Sequence, residues 1–319
     1  MTARPRFMLV VHGGAGTILR EEMTPEMDAA YRAGMTDAIR AGHDVLRAGG
    51  TSVDAVQAAI VVLEDSPLFN AGKGAVFTSA GTNELDAAIM DGRTLAAGAV
   101  AGVRHIRNPI ALARLVMERS GHVMLIGAGA EAFAREQGMP LVRKRYFFTE
   151  RRWQSLQAVK AAERQGGRRA ETNMQRHFNE HHGTVGAVAL DAEGNLAAGT
   201  STGGITNKHW GRVGDSPIIG AGTYASNDSC AVSGTGTGEY FIRNVVAADI
   251  CARVKYAHAT VQEAADAVIN HELVAQGGDG GVIALARDGR YAATFNTPGM
   301  YRGWVGPDGA ITVKIHGDE

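Results

Sequence analysis

The C-terminal part of the chain is written as hairpins, and nothing else in the sequence constrains the fold as much. Thr184–Leu190 and Leu196–Thr200 flank Asp191-Ala192-Glu193-Gly194-Asn195. Gly281–Ala286 and Tyr291–Phe295 flank Arg287-Asp288-Gly289, and Val305 and Ile311–Ile315 flank Pro307-Asp308-Gly309. Asp-Gly between apolar runs is a strong hairpin signal, because these residues accept the backbone of a tight turn. Two helices, about Gly238–Lys255 and Val261–Leu273, lie between the strands, and the second opens on the capping box Thr260-Val261-Gln262-Glu263.

Towards the N-terminus, Phe7–Val11 reads as a buried strand ending in the glycine loop His12-Gly13-Gly14-Ala15-Gly16. Thr24-Pro25 starts a helix whose apolar stripe is Ala29, Ala30, Met35, Ile39, Val45 and Leu46, and Gly49-Gly50 ends it. A second helix covers about Val53–Leu63, and Leu63–Gly74 reads as an irregular, ordered loop. Asn108-Pro109 starts another helix, and Val123–Ile126 is a strand. Helices and strands come in blocks. An α+β layered fold, with helices packed outside sheets, fits this better than a doubly wound sheet.

The chain has 319 residues, 45% hydrophobic and 20% charged, enough for a sizeable core in one large domain or two smaller ones. A formal charge of −1 gives no basic excess to attract nucleic acid or an anionic membrane, and 6% aromatic residues leave few rings for base-stacking platforms. No run approaches the roughly 18 apolar residues of a membrane span. Phe7–Val11 is too short for a signal-peptide core, so the expected location is cytoplasmic. Cys230 and Cys251 are expected as free thiols in a reducing compartment. Residues 160–183 are expected to form a mobile linker, with the charge runs Arg151-Arg152 and Arg168-Arg169 solvated. His177 and His181, with Glu180 and His182, have helical metal-ligand spacing; without further ligands they read as solvated linker histidines.

The chemistry centres on His182-Gly183-Thr184-Val185-Gly186-Ala187-Val188-Ala189-Leu190-Asp191. An internal Thr is a poor nucleophile, while an N-terminal Thr carries its own base. A cut between Gly183 and Thr184 would set an α-amine, with an ordinary pKa of about 7.7–8.0, beside the Thr184 hydroxyl. Four Gly/Thr-rich segments could bring backbone close to a ligand: His12–Gly16, Leu63–Gly74, Gly199–Gly204 and Ser233–Gly238. Gly199-Thr200-Ser201-Thr202-Gly203 matches G-x-S-x-G with Ser201 as nucleophile, but the sequence after it is a poor helix start. Gly234-Thr235-Gly236-Thr237-Gly238 could cradle a phosphate, yet it lacks the Lys of a P-loop. Arg212 and Asp215 read either as a surface ion pair or as a clamp for an amino acid's carboxylate and ammonium.

Taken together, these segments resemble the plant-type asparaginase/isoaspartyl aminopeptidase family of N-terminal nucleophile hydrolases. The resemblance runs through His12–Gly16, Leu68-Phe69-Asn70-Ala71-Gly72, Glu84-Leu85-Asp86-Ala87, the Thr184 segment, Thr200–Gly204, Gly211–Pro217, Gly234–Glu239 and Phe295-Asn296-Thr297. It implies a single αββα four-layer sandwich over 1–319, self-cleaved into an α-subunit (1–183) and a β-subunit (184–319) that pair as (αβ)2. It also implies release of L-aspartate from L-asparagine and β-aspartyl dipeptides.

By position, the resemblance makes Thr184 the nucleophile, Thr202 its hydrogen-bond partner, and the Thr235 hydroxyl and Gly236 N–H the oxyanion hole. Asn70 orders the site. Arg212 takes the α-carboxylate, Asp215 the α-ammonium, and Gly236 also contacts the substrate. No cofactor enters the chemistry; structural sodium is expected on the main-chain carbonyls of Leu63, Glu64, Ser66, Phe69, Ala71 and Lys73. The local departure is Lys208-His209-Trp210-Gly211, where many relatives have Pro before the Gly; Trp210 either alters the pocket rim or shields a loop. A glycosylasparaginase is the competing reading, but those enzymes carry Asp before the Thr and are exported. An inactive module binding a small anion is the reading from another class.

Overall fold

The computed structural model describes residues 7–165 and 183–319. Its strands are β1 (Met8–Gly16), β2 (Leu85–Asp91), β3 (Ala97–Val103), β4 (Met124–Ile126), β5 (Val185–Leu190), β6 (Leu196–Thr202), β7 (Thr223–Ala225), β8 (Cys230–Gly236), β9 (Gly280–Ala286), β10 (Tyr291–Phe295), β11 (Gly299–Val305) and β12 (Thr312–His316). Successive side chains of a strand point to opposite faces, and here both faces are apolar. Leu9 and Val11 of β1 pack in one cluster and Val10 in another; Ala187 and Ala189 of β5 separate in the same way from Val188 and Leu190. In β9, Ile283 and Leu285 part from Val282 and Ala284.

A strand apolar on both sides must be covered on both sides. The solution is two sheets face to face with helices outside, the αββα sandwich. The larger sheet has the order β12-β11-β1-β5-β6-β2-β3-β4 and the smaller β10-β9-β8-β7. Only the β3–β4 pair is parallel among the described strands. Val10, Val188, Ile283 and Leu285 lie between the sheets.

The helices are α1 (Pro25–Arg47), α2 (Ser52–Asp65), α3 (Pro109–Arg119), α4 (Gly127–Glu136), α5 (Glu150–Gln165), α6 (Gly238–Arg243), α7 (Val246–Tyr256) and α8 (Val261–Asp266), the last running on as a π-helical turn over Ala267–Leu273. The Thr24 and Thr260 starts are those the sequence signals: the Thr24 hydroxyl accepts from the Met27 N–H, and Thr260 completes its capping box, as does Thr51 at the start of α2. α1, α2 and α3 cover the outer face of the larger sheet, and α7 and α8 that of the smaller.

Several expectations are corrected. His12–Gly16 is not a loop: β1 continues through it, paired with β11 across an irregularity between His12 and Gly14, where Gly14 takes φ 112°. Ser233–Gly236 is likewise strand. The helix expected over Gly238–Lys255 is two, broken at Val245 with φ 45°. Residues 160–165, assigned to the linker, are the last turns of α5. That helix is seated by Trp153 edge-on to Phe77 at 5.3 Å and by Lys160 Nζ donating to Ser79 O at 2.6 Å. Arg152 is buried rather than solvated. Its Nε donates to Gly74 O at 2.8 Å, and burial pushes its pKa down to about 10. Arg168-Arg169, His177, Glu180, His181 and His182 lie outside the described residues.

The two cysteines are not free thiols: Cys230 of β8 and Cys251 of α7 form a disulfide, with Cα atoms 5.3 Å apart. A spacing of 21 residues carries no sign that α7 packs onto β8. No helix among the described residues is long and apolar enough to cross a membrane.

Candidate active site

β5 and β6 are antiparallel neighbours with Val185 opposite Ser201, so Thr184 enters the sheet one step earlier beside Thr202. The Thr184 hydroxyl donates to Thr202 Oγ1 at 3.0 Å, and Thr202 Oγ1 also accepts the Gly204 N–H at 3.0 Å. Both threonines are buried. Asn70 joins the two sides of this pair. Its main-chain N–H donates to Gly183 O at 3.2 Å, and its main-chain O accepts the Gly203 N–H at 3.0 Å. Its Nδ2 donates to Gly204 O at 2.7 Å, and Oδ1 accepts the Val76 N–H at 3.0 Å. Asn70, Gly183, Thr184 and Thr202 are therefore one hydrogen-bonded unit.

Thr235 lies on β8, in the facing sheet. Its fully buried Oγ1 accepts the Ala15 N–H at 3.2 Å, which leaves the hydroxyl hydrogen for a ligand. Gly236 follows with φ 150°, and a Cβ there would collide with Asp279 O. The Arg212/Asp215 pair packs against the same segment. A Cβ on Gly238 would stand 2.8 Å from Asp215 Oδ1 and 3.0 Å from Arg212 Nη2, so glycine is what keeps this corner open.

Asp215 is buried with Oδ2 lacking a hydrogen-bond partner. Burial pushes its pKa up to about 7, while the Arg212 guanidinium pulls it back. A buried, unpaired carboxylate oxygen is costly and suits a cationic ligand group. Arg212 Nε and Nη2 both donate to the Glu239 carboxylate, each at 2.9 Å. The Arg212 fork is filled by a carboxylate from within the chain. The surface-pair reading of Arg212 and Asp215 is thus corrected: the partner of Arg212 is Glu239, and Asp215 is beneath it.

An asparaginase family model matches residues 5–315. The chain belongs to the asparaginase family. It is 50% identical over 299 residues to the isoaspartyl peptidase of Salmonella typhimurium, covering 93% of this chain and 94% of that protein. The isoaspartyl peptidase/L-asparaginase of Xenopus laevis is 43% identical over 319 residues, 98% of this chain and 96% of its own length. The human isoaspartyl peptidase/L-asparaginase is 44% identical over 294 residues, 92% of this chain and 91% of its own. This asparaginase-family chain is a hydrolase, and its sandwich is the fold of the N-terminal nucleophile hydrolases.

Within the family frame, Ser201 is not a nucleophile. It lies inside β6, facing the helices, and its Oγ donates to Glu64 Oε1 at 2.6 Å. Glu64 is buried, and burial raises its pKa to about 8 despite the Ser201 bond and the Ile110 N–H. The phosphate reading of Gly234–Gly238 also fails, because α6 has only six residues and its Glu239 carboxylate faces the site. Trp210 is fully exposed with φ 52°, its ring 5.1 Å from the His209 ring.

The carbonyls expected to hold sodium fit an oxygen-seeking cation. Gly72 (φ 48°) and Gly74 let the loop close so tightly that a Cβ would collide with Glu64 O and Phe69 O, respectively. Leu63 O and Ala71 O each accept one main-chain N–H, from Ser66 at 3.3 Å and Gly74 at 3.1 Å. A carbonyl has a second lone pair for an ion.

Two polar residues of the segments that carry the resemblance, given no role from the sequence, lie near the site. Asp86 sits directly opposite Thr202 on β2, accepts the Gly102 N–H at 2.8 Å, and lies 3.7 Å from the buried Lys208 Nζ. His12 is fully buried, and its Nε2 is 2.9 Å from Ser233 Oγ. Burial pushes the His12 pKa down to about 3, with the Thr184 main chain acting weakly the other way. The available signal was a lone polar residue inside an apolar strand.

Proposed function

We propose that this chain is a self-activating threonine hydrolase that releases L-aspartate from β-aspartyl dipeptides and L-asparagine. One observation carries the reading: the Thr184 hydroxyl is bonded to Thr202 at 3.0 Å while the adjacent Gly183 carbonyl is held by the Asn70 N–H at 3.2 Å. Nucleophile and electrophile are neighbours, and a donor already points at the oxygen that becomes negative. Thr184 Oγ attacks the Gly183 carbon, the C–N bond breaks as the hydroxyl proton passes to the Thr184 nitrogen, and the acyl group moves from nitrogen to oxygen, leaving a free amine and an ester. Water hydrolyses the resulting ester to give fragments 1–183 and 184–319. The freed α-amine is the base for the next reaction.

In turnover, Arg212 takes the substrate α-carboxylate in the fork that Glu239 fills here, and Asp215 takes the α-ammonium. Thr184 attacks the β-carbonyl and gives its proton to the α-amine. The Thr235 hydroxyl and Gly236 N–H meet the oxyanion. The leaving amine or ammonia collects the proton, and water releases aspartate from the acyl-enzyme. Sodium in the Leu63–Lys73 loop would brace the loop carrying Asn70 and takes no step. Assembly as (αβ)2 belongs to the same reading and is carried by the family resemblance.

Denaturing electrophoresis with intact-mass analysis tests it, alongside assays on L-asparagine and a β-aspartyl dipeptide. The expected result is two fragments, the smaller beginning at Thr184, and hydrolysis of both substrates. Thr184→Ala stays in one piece and is inert; cleavage before residue 184 in that variant overturns the assignment.

A further inference from the structure

The layer between the two sheets is apolar except along one seam. His12 Nε2, Ser233 Oγ, Thr200 Oγ1 and Thr223 Oγ1 form a chain with contacts of 2.9, 2.7 and 2.7 Å. Thr200 Oγ1 also lies 3.1 Å from Gly222 O. His12, Thr200, Thr223 and Ser233 are fully buried. One proton assignment satisfies these contacts with a neutral imidazole. His12 Nε2–H donates to Ser233, Ser233 donates to Thr200, Thr200 donates to Gly222 O, and the one Thr223 hydroxyl hydrogen is shared between Thr200 Oγ1 and Ser216 O at 3.0 Å. A buried polar group left unpaired costs about 1–3 kcal/mol; Nε2 and the three hydroxyls escape that cost by pairing with one another, whereas His12 Nδ1 has no partner among the described residues.

Its placement follows the reactive groups strand by strand. Thr200 is two residues before Thr202 on β6, and Ser233 two before Thr235 on β8. Gly186, two after Thr184, lies opposite both His12 on β1 and Thr200 on β6. A period of two keeps these side chains on the same face of each strand, one tier deeper than the site. Gly186 has a specific reason to be glycine. A Cβ there would collide with both Ser233 Oγ and His12 Nε2, so the bridge crosses the space its side chain would fill. Apolar packing resists separation of the sheets but has no preferred hydrogen-bond geometry. A directional bridge beneath Thr184 supplies one.

We propose that the His12–Ser233–Thr200 bridge is a positioning device, setting how far the β8 strand with Thr235 stands from the strands bearing Thr184 and Thr202. The inference rests on the reading of Thr184 as nucleophile and Thr235 as oxyanion donor. None of the three residues touches substrate; each acts through the strand it anchors. A misplacement of about 1 Å at a reacting group can cost on the order of 10²-fold in rate.

The test compares Ser233→Ala, Thr200→Val and Thr200→Ser with wild type, reading self-cleavage, kcat, KM and the urea midpoint of the folded protein. Ser233→Ala and Thr200→Val are expected to lose about 10-fold to 100-fold in kcat, with KM within about twofold. Thr200→Ser, which keeps the hydroxyl, is expected to restore kcat. His12→Gln, which offers an N–H near the Nε2 position, is expected to exceed His12→Leu. If one variant fails to fold, the remaining pairs carry the comparison. Wild-type kcat in Thr200→Val or Ser233→Ala overturns the bridge, as does a Thr200→Ser enzyme no better than Thr200→Val. A wild type that neither splits nor hydrolyses overturns the nucleophile reading itself, and the positioning role with it.

Discussion

The main-chain N–H of Asn70 donates to the carbonyl oxygen of Gly183 at 3.2 Å. A loop 113 residues away in sequence would be invisible to any local reading of the Gly183–Thr184 bond, yet it holds the carbonyl of the bond whose cleavage we propose. The same residue fixes Gly203 and Gly204, which follow Thr202. Carbonyl, nucleophile and the partner of the nucleophile are thereby tied to a single side chain and its peptide group.

Gly183→Ala is expected to slow self-cleavage. The new Cβ would lie 3.1 Å from Asn70 Cβ and 3.4 Å from Asn70 N, so the two segments must part by a few tenths of an ångström. A weakened oxyanion-type donor makes a loss of about tenfold reasonable, against the roughly 10²–10³ of complete removal. The time course of fragment appearance on a denaturing gel measures it, and an unchanged half-time would separate the Asn70 bond from the reaction.

Thr235→Ala is expected to lower kcat by roughly 10²–10³ with a smaller change in KM, because the hydroxyl is called on only when charge develops. Its present partner is an N–H donor, from Ala15, so no acceptor competes for its hydrogen. Steady-state kinetics on a β-aspartyl dipeptide decides this; full turnover would take Thr235 out of the oxyanion hole.

Substrate binding should depend on pH through Asp215, whose carboxyl is raised to about 7 chiefly by burial. Its anionic form is needed to pair with an ammonium, so KM is expected to climb as pH falls below about 7 and to level off above it. The freed Thr184 amine, with an ordinary pKa of about 7.7–8.0, affects kcat instead. For stability the sign is opposite to a salt-bridged carboxylate. The folded state keeps the proton after the unfolded chain has lost it, so this group's contribution falls as pH rises from about 4 to about 7. KM profiles for L-asparagine between pH 5.5 and 8.5 test the first point (the range being about 1.5 units either side of the Asp215 value); a flat profile would remove Asp215 as the ammonium ligand.

Reducing the Cys230–Cys251 bond is expected to destabilise the packing of α7 against β8 of the smaller sheet. A cross-link spanning 21 residues is worth about 3 kcal/mol in the chain-entropy picture. Mass analysis after alkylation, with and without reductant, counts the bond directly; urea midpoints in the two states give its contribution. Two alkylated thiols without reductant would show the pair to be unlinked.

Much of the fold was legible because its signals are local. Thr24, Thr51 and Thr260 cap helices with hydroxyls a few residues from the N–H groups they bind. Asp-Gly turns sit between the strands they join. β2, β3 and β8 were missed because strands buried on both faces lose polar–apolar alternation; Ala97–Val103 holds only Ala, Gly and Val. His12–Gly16 misled for a related reason. Its glycines serve close approach to neighbouring strands and to Phe69, whose ring a Cβ on Gly13 would strike, and not only a turn.

By itself the sequence determined the starts of several helices, the hairpins, the family pattern, and the residue types the chemistry calls for: a Gly-Thr pair at a strand mouth, an Arg and an Asp three apart, and threonines among glycines. Those depend on covalent neighbours and on backbone preferences within a turn or two. Only the tertiary structure decided which of the groups meet. It put Thr184 against Thr202, Asn70 against Gly183, Glu239 in the Arg212 fork, Cys230 on Cys251, and His12 across Gly186 to Ser233. These pairings arise from stacking two sheets and closing loops over them. The burial that makes Asp215 hard to ionise and His12 hard to protonate comes from the same stacking, since desolvation depends on everything packed around a group and not on its neighbours in the chain.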